Sequence, residues 1–256
     1  MLNHVRQGFG EPLVLIHGIG SQWQMWTPVL DRVAAQRDVV AIDLPGFGAS
    51  AQLHVAPTVA ALADAVSGLI DELGLDRPHV AGNSLGGALA LELARTGRAR
   101  TATAFSPIGF ACGRENAFAT LSLAASRAAA RVLDPAVDIA MRTAAGRTLT
   151  LSQFFGKPWQ VAPEEAVRAT RNLASSPGFA ATLPAIELFD WDHGDLDVPV
   201  TIAWGQRDWI MIPRQGRRAR KLMRRARHVS LAGCGHVPTW DEPEQVAGVL
   251  IAGSRD

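Results

Sequence analysis

His79-Val80-Ala81-Gly82-Asn83-Ser84-Leu85-Gly86-Gly87-Ala88-Leu89-Ala90-Leu91 is the stretch whose reading decides the fold. It opens on a short apolar run, His79-Val80-Ala81, of buried-strand type. It closes on an Ala- and Leu-rich segment, residues 85–96, that patterns as a helix. Between them Gly82-Asn83-Ser84-Leu85-Gly86 spells Gly-x-Ser-x-Gly, with Gly87 next. Strand, tight turn and helix in that order form the context in which this motif holds a serine hydroxyl in the open. A turn so tight leaves no room for side chains two positions either side of the serine, so glycine is needed there. The helix behind it points free N–H groups and the positive end of its dipole at the same place.

Working outward, the same rhythm continues. Leu13-Val14-Leu15-Ile16, Val39-Val40-Ala41-Ile42, residues 101–105, 199–204 and 228–231 are further short apolar runs. Runs that are apolar throughout predict strands buried on both faces, as in a parallel sheet. Residues 58–73 set Val59, Leu62, Ala63, Val66, Leu69 and Ile70 at helical spacing, and residues 237–252 set Val246, Val249 and Leu250 on one stripe. Alternating strands and helices predict an α/β fold with a mostly parallel, doubly wound sheet and helices on both faces. The rhythm stops near Ser106 and resumes near Val198. The interval is Ala-rich and helical in pattern, and Pro163-Glu164-Glu165 reads as a helix start. Residues 1–106 and 198–256 are therefore expected to form the core, and residues 107–197 a helical cap inserted into it.

Composition narrows the function classes. Of 256 residues, 48% are hydrophobic and 19% charged, the balance of a globular chain. A net charge of +1 gives no electrostatic reason to expect a nucleic-acid partner. The two cysteines, Cys112 and Cys234, form neither a Cys-x-x-Cys unit nor a disulfide framework, and read as free thiols in a reducing compartment. No apolar run follows Met1-Leu2-Asn3-His4-Val5-Arg6, and the apolar stretches are broken by Asp64, Glu92 or Arg127. The expectation is a cytoplasmic protein without a membrane span. No histidine pair has metal-ligand spacing, Gly18-x-Gly20 meets Trp23 where a dinucleotide fingerprint needs glycine, and no Gly-Lys-Ser/Thr occurs. No metal and no cofactor are expected.

The remaining chemistry gathers around Ser84. His17-Gly18-Ile19-Gly20 follows the first buried run, and its glycines let backbone approach a substrate closely. The backbone N–H groups of Ile19 and Leu85 are the candidate oxyanion-hole donors, a single donor commonly being worth about 3–4 kcal/mol in the transition state. His236, between Gly235 and Val237-Pro238 in the loop after the last run, is the candidate base. Asp208, in Gly205-Gln206-Arg207-Asp208 after the run ending at Trp204, is the candidate acid that orients the imidazole. Ser84, Asp208 and His236 occur in the chain order this architecture requires. Asp195 and Asp197 are weaker candidates because they precede their strand. His17 reads as a brace for its own loop.

These motifs, with Asp43-Leu44-Pro45-Gly46-Phe47-Gly48-Ala49-Ser50 and Glu242-Pro243-Glu244, resemble those of the α/β-hydrolase superfamily over nearly the whole chain. The resemblance implies a serine-nucleophile branch with a helical cap at residues 107–197. The short N-terminal part implies that one or both of the antiparallel strands that begin this family's sheet are reduced. Ser84 sets the chain apart from the haloalkane dehalogenases and epoxide hydrolases of the family, which use aspartate there. Gly-Asn-Ser-x-Gly-Gly is similar to the turn of hydrolases that cleave carbon–carbon bonds in ring-fission products. Those usually carry tryptophan after the histidine, where this chain has Val237, and a longer glycine-rich oxyanion loop, where it has Ser21-Gln22. The expected activity is cleavage of a small, largely apolar carboxylic ester through an acyl-enzyme. The alternatives are carbon–carbon bond hydrolysis and a small-molecule receptor that keeps the triad.

Two other features need a reading. Residues 214–227 carry eight basic side chains around a stripe of Ala219, Leu222, Met223 and Ala226, which predicts an amphipathic helix with a solvated basic face. In the insertion, Phe110, Phe118, Phe154, Phe155, Trp159, Phe179, Phe189 and Trp191 supply cap core and pocket wall, and Arg114, Arg127, Arg131, Arg142, Arg147, Arg168 and Arg171 are candidates to hold a substrate carboxylate.

Overall fold

The computed structural model describes residues 1–255. One seven-stranded sheet runs in the order β1-β3-β2-β4-β5-β6-β7. Its strands are β1 His4–Gly8, β2 Pro12–Ile16, β3 Asp38–Ile42, β4 His79–Asn83, β5 Thr101–Phe105, β6 Val200–Gly205 and β7 Arg227–Leu231. All neighbours pair in parallel except β1, which lies antiparallel to β3 with His4 opposite Ile42. One antiparallel opening strand is thus present. Sequence pattern missed it because it is an edge strand whose Arg6, Gln7 and Gly8 face solvent, so no apolar run marks it. The opposite edge departs from expectation too. In β7, Arg227 and Ser230 are exposed and only Leu231 is buried, so the strand is not covered on both faces.

Side-chain alternation along the strands feeds two apolar layers. Leu13, Leu15, Val39, Ala41, Ala81, Phe105 and Ala203 share one cluster with residues of α1 (Thr27–Ala34) and α10 (Pro243–Gly253). Val14, Ile16, Val40, Ile42, Val80, Ala102 and Ile202 share the other with residues of α2 (Val59–Glu72), α3 (Leu85–Arg95) and α9 (Pro213–Leu222). Each buried Leu, Ile or Val contributes roughly 1.5–3 kcal/mol by leaving water.

Two helices are shorter than their stripes predict. α10 begins only at Pro243, because Pro238 and the turn that follows hold residues 237–242 in a loop. α9 ends at Leu222, and Met223 leaves the helix at φ −109° and ψ 78°. Met223 and Ala226 are still buried, so the stripe continued while the backbone did not; Leu222 is exposed.

Between β5 and β6 the chain forms α4 (Gly113–Leu133), α5 (Val137–Arg142), α6 (Ala144–Leu151), α7 (Pro163–Ser175) and α8 (Phe179–Leu188). Ala119, Leu123, Leu173, Phe179 and Ile186 of these helices join the core cluster on the α2–α3 face, and Val137, Met141, Leu151, Phe155, Val161 and Ala166 form a cluster of their own. The helices rest over the ends of the parallel strands where Asn83 and Gly205 close β4 and β6, which is where open α/β sheets bind ligands. No helix among the described residues is long and apolar enough to cross a membrane.

Candidate active site

Ser84 stands between β4 and α3 at φ 58° and ψ −117°, a backbone region that costs a non-glycine residue about 1–3 kcal/mol. The fold holds it there. Its N–H donates to Phe105 O at 2.8 Å, and its carbonyl accepts from Ala88 N–H at 3.1 Å. A Cβ on Gly82 would strike the carbonyl of Gly86, and one on Gly86 would strike the carbonyls of Ile16 and His17. Both flanking glycines are therefore required by close backbone approach.

The structure brings Asp208 and His236 together. His236 Nδ1 lies 2.9 Å from Asp208 Oδ2, and the two side chains are almost fully buried. The other carboxylate oxygen of Asp208 accepts from Ile210 N–H at 2.9 Å and Met211 N–H at 2.8 Å. The carboxylate is fixed from both sides, so the imidazole presents Nε2 away from it. Asp195 and Asp197 are instead engaged by Arg225.

Ser84, His236 and Ile19 line one cavity of about 640 Å³ under the inserted helices. Among the described residues, Ser84 Oγ forms no hydrogen bond with His236; such contacts are often long before substrate arrives. The N–H groups of Ile19 and Leu85 donate to no protein acceptor among those residues, and Leu85 is the first residue of α3. Gly18 packs so closely that a Cβ there would sit 3.2 Å from Ser84 Cβ. A hydroxyl, an imidazole backed by a carboxylate and the unused N–H of Ile19 at one cavity, with the unused N–H of Leu85 directly after Ser84, can together attack a carbonyl, move the proton and stabilise the oxyanion.

The loop carrying Ile19 is braced by residues of which only His17 was anticipated. His17 is fully buried, with Nδ1 2.7 Å from Gly18 O and Nε2 accepting from Leu44 N–H at 2.9 Å. Those partners require a neutral ring protonated on Nδ1. Burial pushes its pKa down to about 4, against the opposing pull of the Gly18 carbonyl and Asp43. Asp43 accepts from Trp23 N–H at 2.8 Å and Ala49 N–H at 3.0 Å, tying the segment that follows the Ile19 loop to the turn after β3. Asn83, an open position in the motif, donates from Nδ2 to His236 O at 2.8 Å and to Phe105 O at 3.2 Å. Asp241 serves backbone groups as well. It accepts from the N–H groups of Gly156, Lys157 and Gly235, and no motif signal at its position pointed to that role.

The insertion narrows two expectations. Of its aromatic residues only Phe154 and Phe155 line the cavity; Phe118 is exposed, and Phe110 packs edge-on against Trp204 of β6. Trp240, from the loop after His236, supplies the further ring. Of the seven arginines only Arg168 reaches the cavity, where it pairs with Glu165 at 2.6 Å. Arg127 donates to Ser176 O and lies 4.7 Å over the ring of Phe179, and burial lowers its pKa. Arg131 and Arg147 bind backbone carbonyls, Arg171 pairs with Asp138, and Arg114 and Arg142 are exposed. No group of His, Cys, Asp and Glu suited to a metal ion occurs among the described residues.

The sequence model of the alpha/beta hydrolase family matches residues 13–249. Over 112 residues the chain is 38% identical to a dihydrolipoyllysine-residue acetyltransferase component of the acetoin cleaving system from Cupriavidus necator, a match covering 43% of this chain and 30% of that protein. Over 95 residues it is 41% identical to 2-hydroxy-6-oxo-2,4-heptadienoate hydrolase from Pseudomonas putida, covering 34% of this chain and 33% of that one. The chain thus matches about a third of the length of each of these relatives. A solved hydrolase from Pseudomonas aeruginosa superposes with a TM-score of 0.79 at 22% identity, over 97% of this chain and 92% of the other, a likeness of fold.

Proposed function

This chain belongs to the alpha/beta hydrolase family, and from that premise we propose that it is a serine esterase acting on a small, uncharged, largely apolar carboxylic ester. In this reading Ser84 Oγ attacks the ester carbonyl while His236 Nε2 takes its proton. Asp208 holds the imidazole and balances its positive charge. The N–H groups of Ile19 and Leu85 receive the oxyanion. His236 then protonates the leaving alcohol, and a water activated by the same imidazole releases the acid from Ser84. The helices α4–α8 act as the cap that forms the substrate pocket.

The observation that carries the reading is the strained Ser84 turn opening into the cavity that also receives the Asp208-backed His236. The uncharged substrate is argued from the walls. Leu123, Leu133, Leu151, Phe154, Phe155 and Leu173 line the cavity, and its one ion pair among the described residues, Arg168 with Glu165, is already neutralised. A substrate carboxylate would have to compete with Glu165 for Arg168.

The second reading, carbon–carbon bond hydrolysis of a ring-fission dienoate, is favoured by the 41% identity to the heptadienoate hydrolase. One comparison decides between them. A fluorophosphonate should label wild type and not Ser84→Ala, and kcat/KM should be higher for a butyrate ester than for a ring-fission dienoate. A dienoate preference of a hundredfold or more, about 2.7 kcal/mol in the transition state, would make the esterase reading wrong.

A further inference from the structure

Three loops stack backbone on backbone beside His236. A Cβ on Gly205, which closes β6 ahead of Asp208, would strike the carbonyl of Gly235. A Cβ on Gly235 would come within 2.6 Å of Gly156 N, in the loop between α6 and α7. A Cβ on Gly156 would strike the carbonyl of Gly233. The acid loop, the histidine loop and the insertion are thus in direct backbone contact, with no side chain between them.

Asp241 binds two of these loops together. Its Oδ2 accepts from Gly156 N–H at 2.8 Å and from Gly235 N–H at 2.7 Å, and its Oδ1 accepts from Lys157 N–H at 2.7 Å. Only 2% of the residue is exposed. Burial raises its pKa, and the hydrogen bonds from Gly235, Gly156 and Lys157 oppose the rise. Three donors on two oxygens use the acceptor capacity of a carboxylate in a way that an amide, which must turn an NH₂ toward one of them, cannot copy. Around this centre Val237 N–H donates to Phe154 O at 2.8 Å, Arg207 donates to Gly156 O at 3.3 Å, and Lys157 pairs with Glu242. Phe154, Phe155, His236 and Val237, which flank these bonds in sequence, all line the cavity.

We infer that Asp241 is a positioning residue for the reaction: through Gly235 it sets His236 against Asp208 and Ser84, and through Gly156 and Lys157 it makes that setting depend on the insertion being docked. The inference rests on the serine-hydrolase reading above. It assigns the insertion two parts, a wall for the substrate and an outer support for the base. Asp241 touches no reacting atom, so its loss acts on proton transfer through His236 and leaves substrate affinity largely in place.

The test compares wild type with Asp241→Asn, Asp241→Glu and Glu242→Gln, the last breaking only the outer ion pair. The active fraction of each is counted by fluorophosphonate titration, so that kcat is expressed per competent site. Asp241→Asn is expected to lose at least tenfold in kcat per site with KM changed less than threefold. The acid limb of its pH–rate profile is expected to move, and the downfield Nδ1–H proton resonance of His236 is expected to shift. Asp241→Glu, which restores a carboxylate, is expected to recover part of the loss, and Glu242→Gln is expected to match wild type. Unchanged kcat per site in Asp241→Asn, with an unmoved pH profile and proton resonance, overturns the inference. So does failure of both Asp241 variants to fold, which assigns the residue to stability alone. If wild type itself takes no fluorophosphonate label, the serine-hydrolase reading has failed; the proton resonance, which needs no turnover, still decides whether Asp241 positions His236.

Discussion

Acid should weaken this protein through His17, by an amount the structure sets. In the folded chain the ring is fully buried, and its Nε2 lone pair receives Leu44 N–H. Protonating Nε2 would put two N–H groups face to face with their nitrogens 2.9 Å apart at a fully buried site. The folded pKa is pushed down to about 4, whereas an unfolded histidine titrates near about 6.5. The unfolded chain therefore binds the proton first as pH falls, and stability drops from pH 6.5 toward pH 4. Linkage over that gap gives about 2 kcal/mol lost at pH 5 and about 3 kcal/mol at pH 4. For a chain of this size 2 kcal/mol corresponds to a fall in Tm of about 4–8 °C. His17→Gln keeps an acceptor for Leu44 N–H and has no proton to gain. Thermal melts of both proteins at pH 7.5, 6, 5 and 4.5 isolate the effect, because every other titrating group is shared. Wild type should start more stable and lose its advantage by pH 5. Parallel Tm curves for the two proteins would refute the argument that His17 is held neutral by its partners.

Asp208→Asn should retain the fold and cost up to about 10⁴-fold in kcat by favouring the wrong imidazole tautomer, whereas Asp195→Asn and Asp197→Asn should leave steady-state rates unchanged. Gly86→Ala should destabilise the protein by roughly 1–3 kcal/mol in urea titrations, since its Cβ meets the carbonyls of Ile16 and His17. An Ellman titration of the native protein should find one fast thiol, Cys112, which is exposed; Cys234, buried and with its pKa pushed up to about 12 by that burial, should react only after unfolding.

How much of this was legible in the sequence follows from what each element buries. Strands β2 to β6 are buried along almost their whole length, so apolar residues predominate in them and the runs announce themselves. The α2 stripe was equally plain, and the helix runs from Val59 to Glu72 with Thr58 as its cap. The edges were harder for the same physical reason in reverse. β1 has one covered neighbour and a polar sequence, and β7 exposes Arg227 and Ser230. The ends of α9 and α10 were misplaced because a stripe records burial, and burial persists where the backbone has already turned out of the helix, as at Met223.

The site divides along a different line. The turns that hold Ser84 and His236 and the loop that holds Asp208 were legible because glycines forced by close backbone approach, Gly82, Gly86, Gly235 and Gly205, stand in or near them as motif letters. Asn83, Asp43 and Asp241 act by accepting or donating to backbone groups of residues far away in the chain, Asp241 across 85 positions to Gly156. A carboxylate that serves N–H groups leaves no partner side chain to be read, because every residue but proline carries the same donor. The seven insertion arginines fail for a related reason. Six are taken up by backbone carbonyls, by surface acids or by solvent, and only the folded arrangement of α4, α5 and α7 separates them from Arg168 in the cavity. Local turns are therefore recorded in the sequence, whereas which insertion arginine reaches the cavity is decided by the packing of the insertion helices, which the sequence does not record.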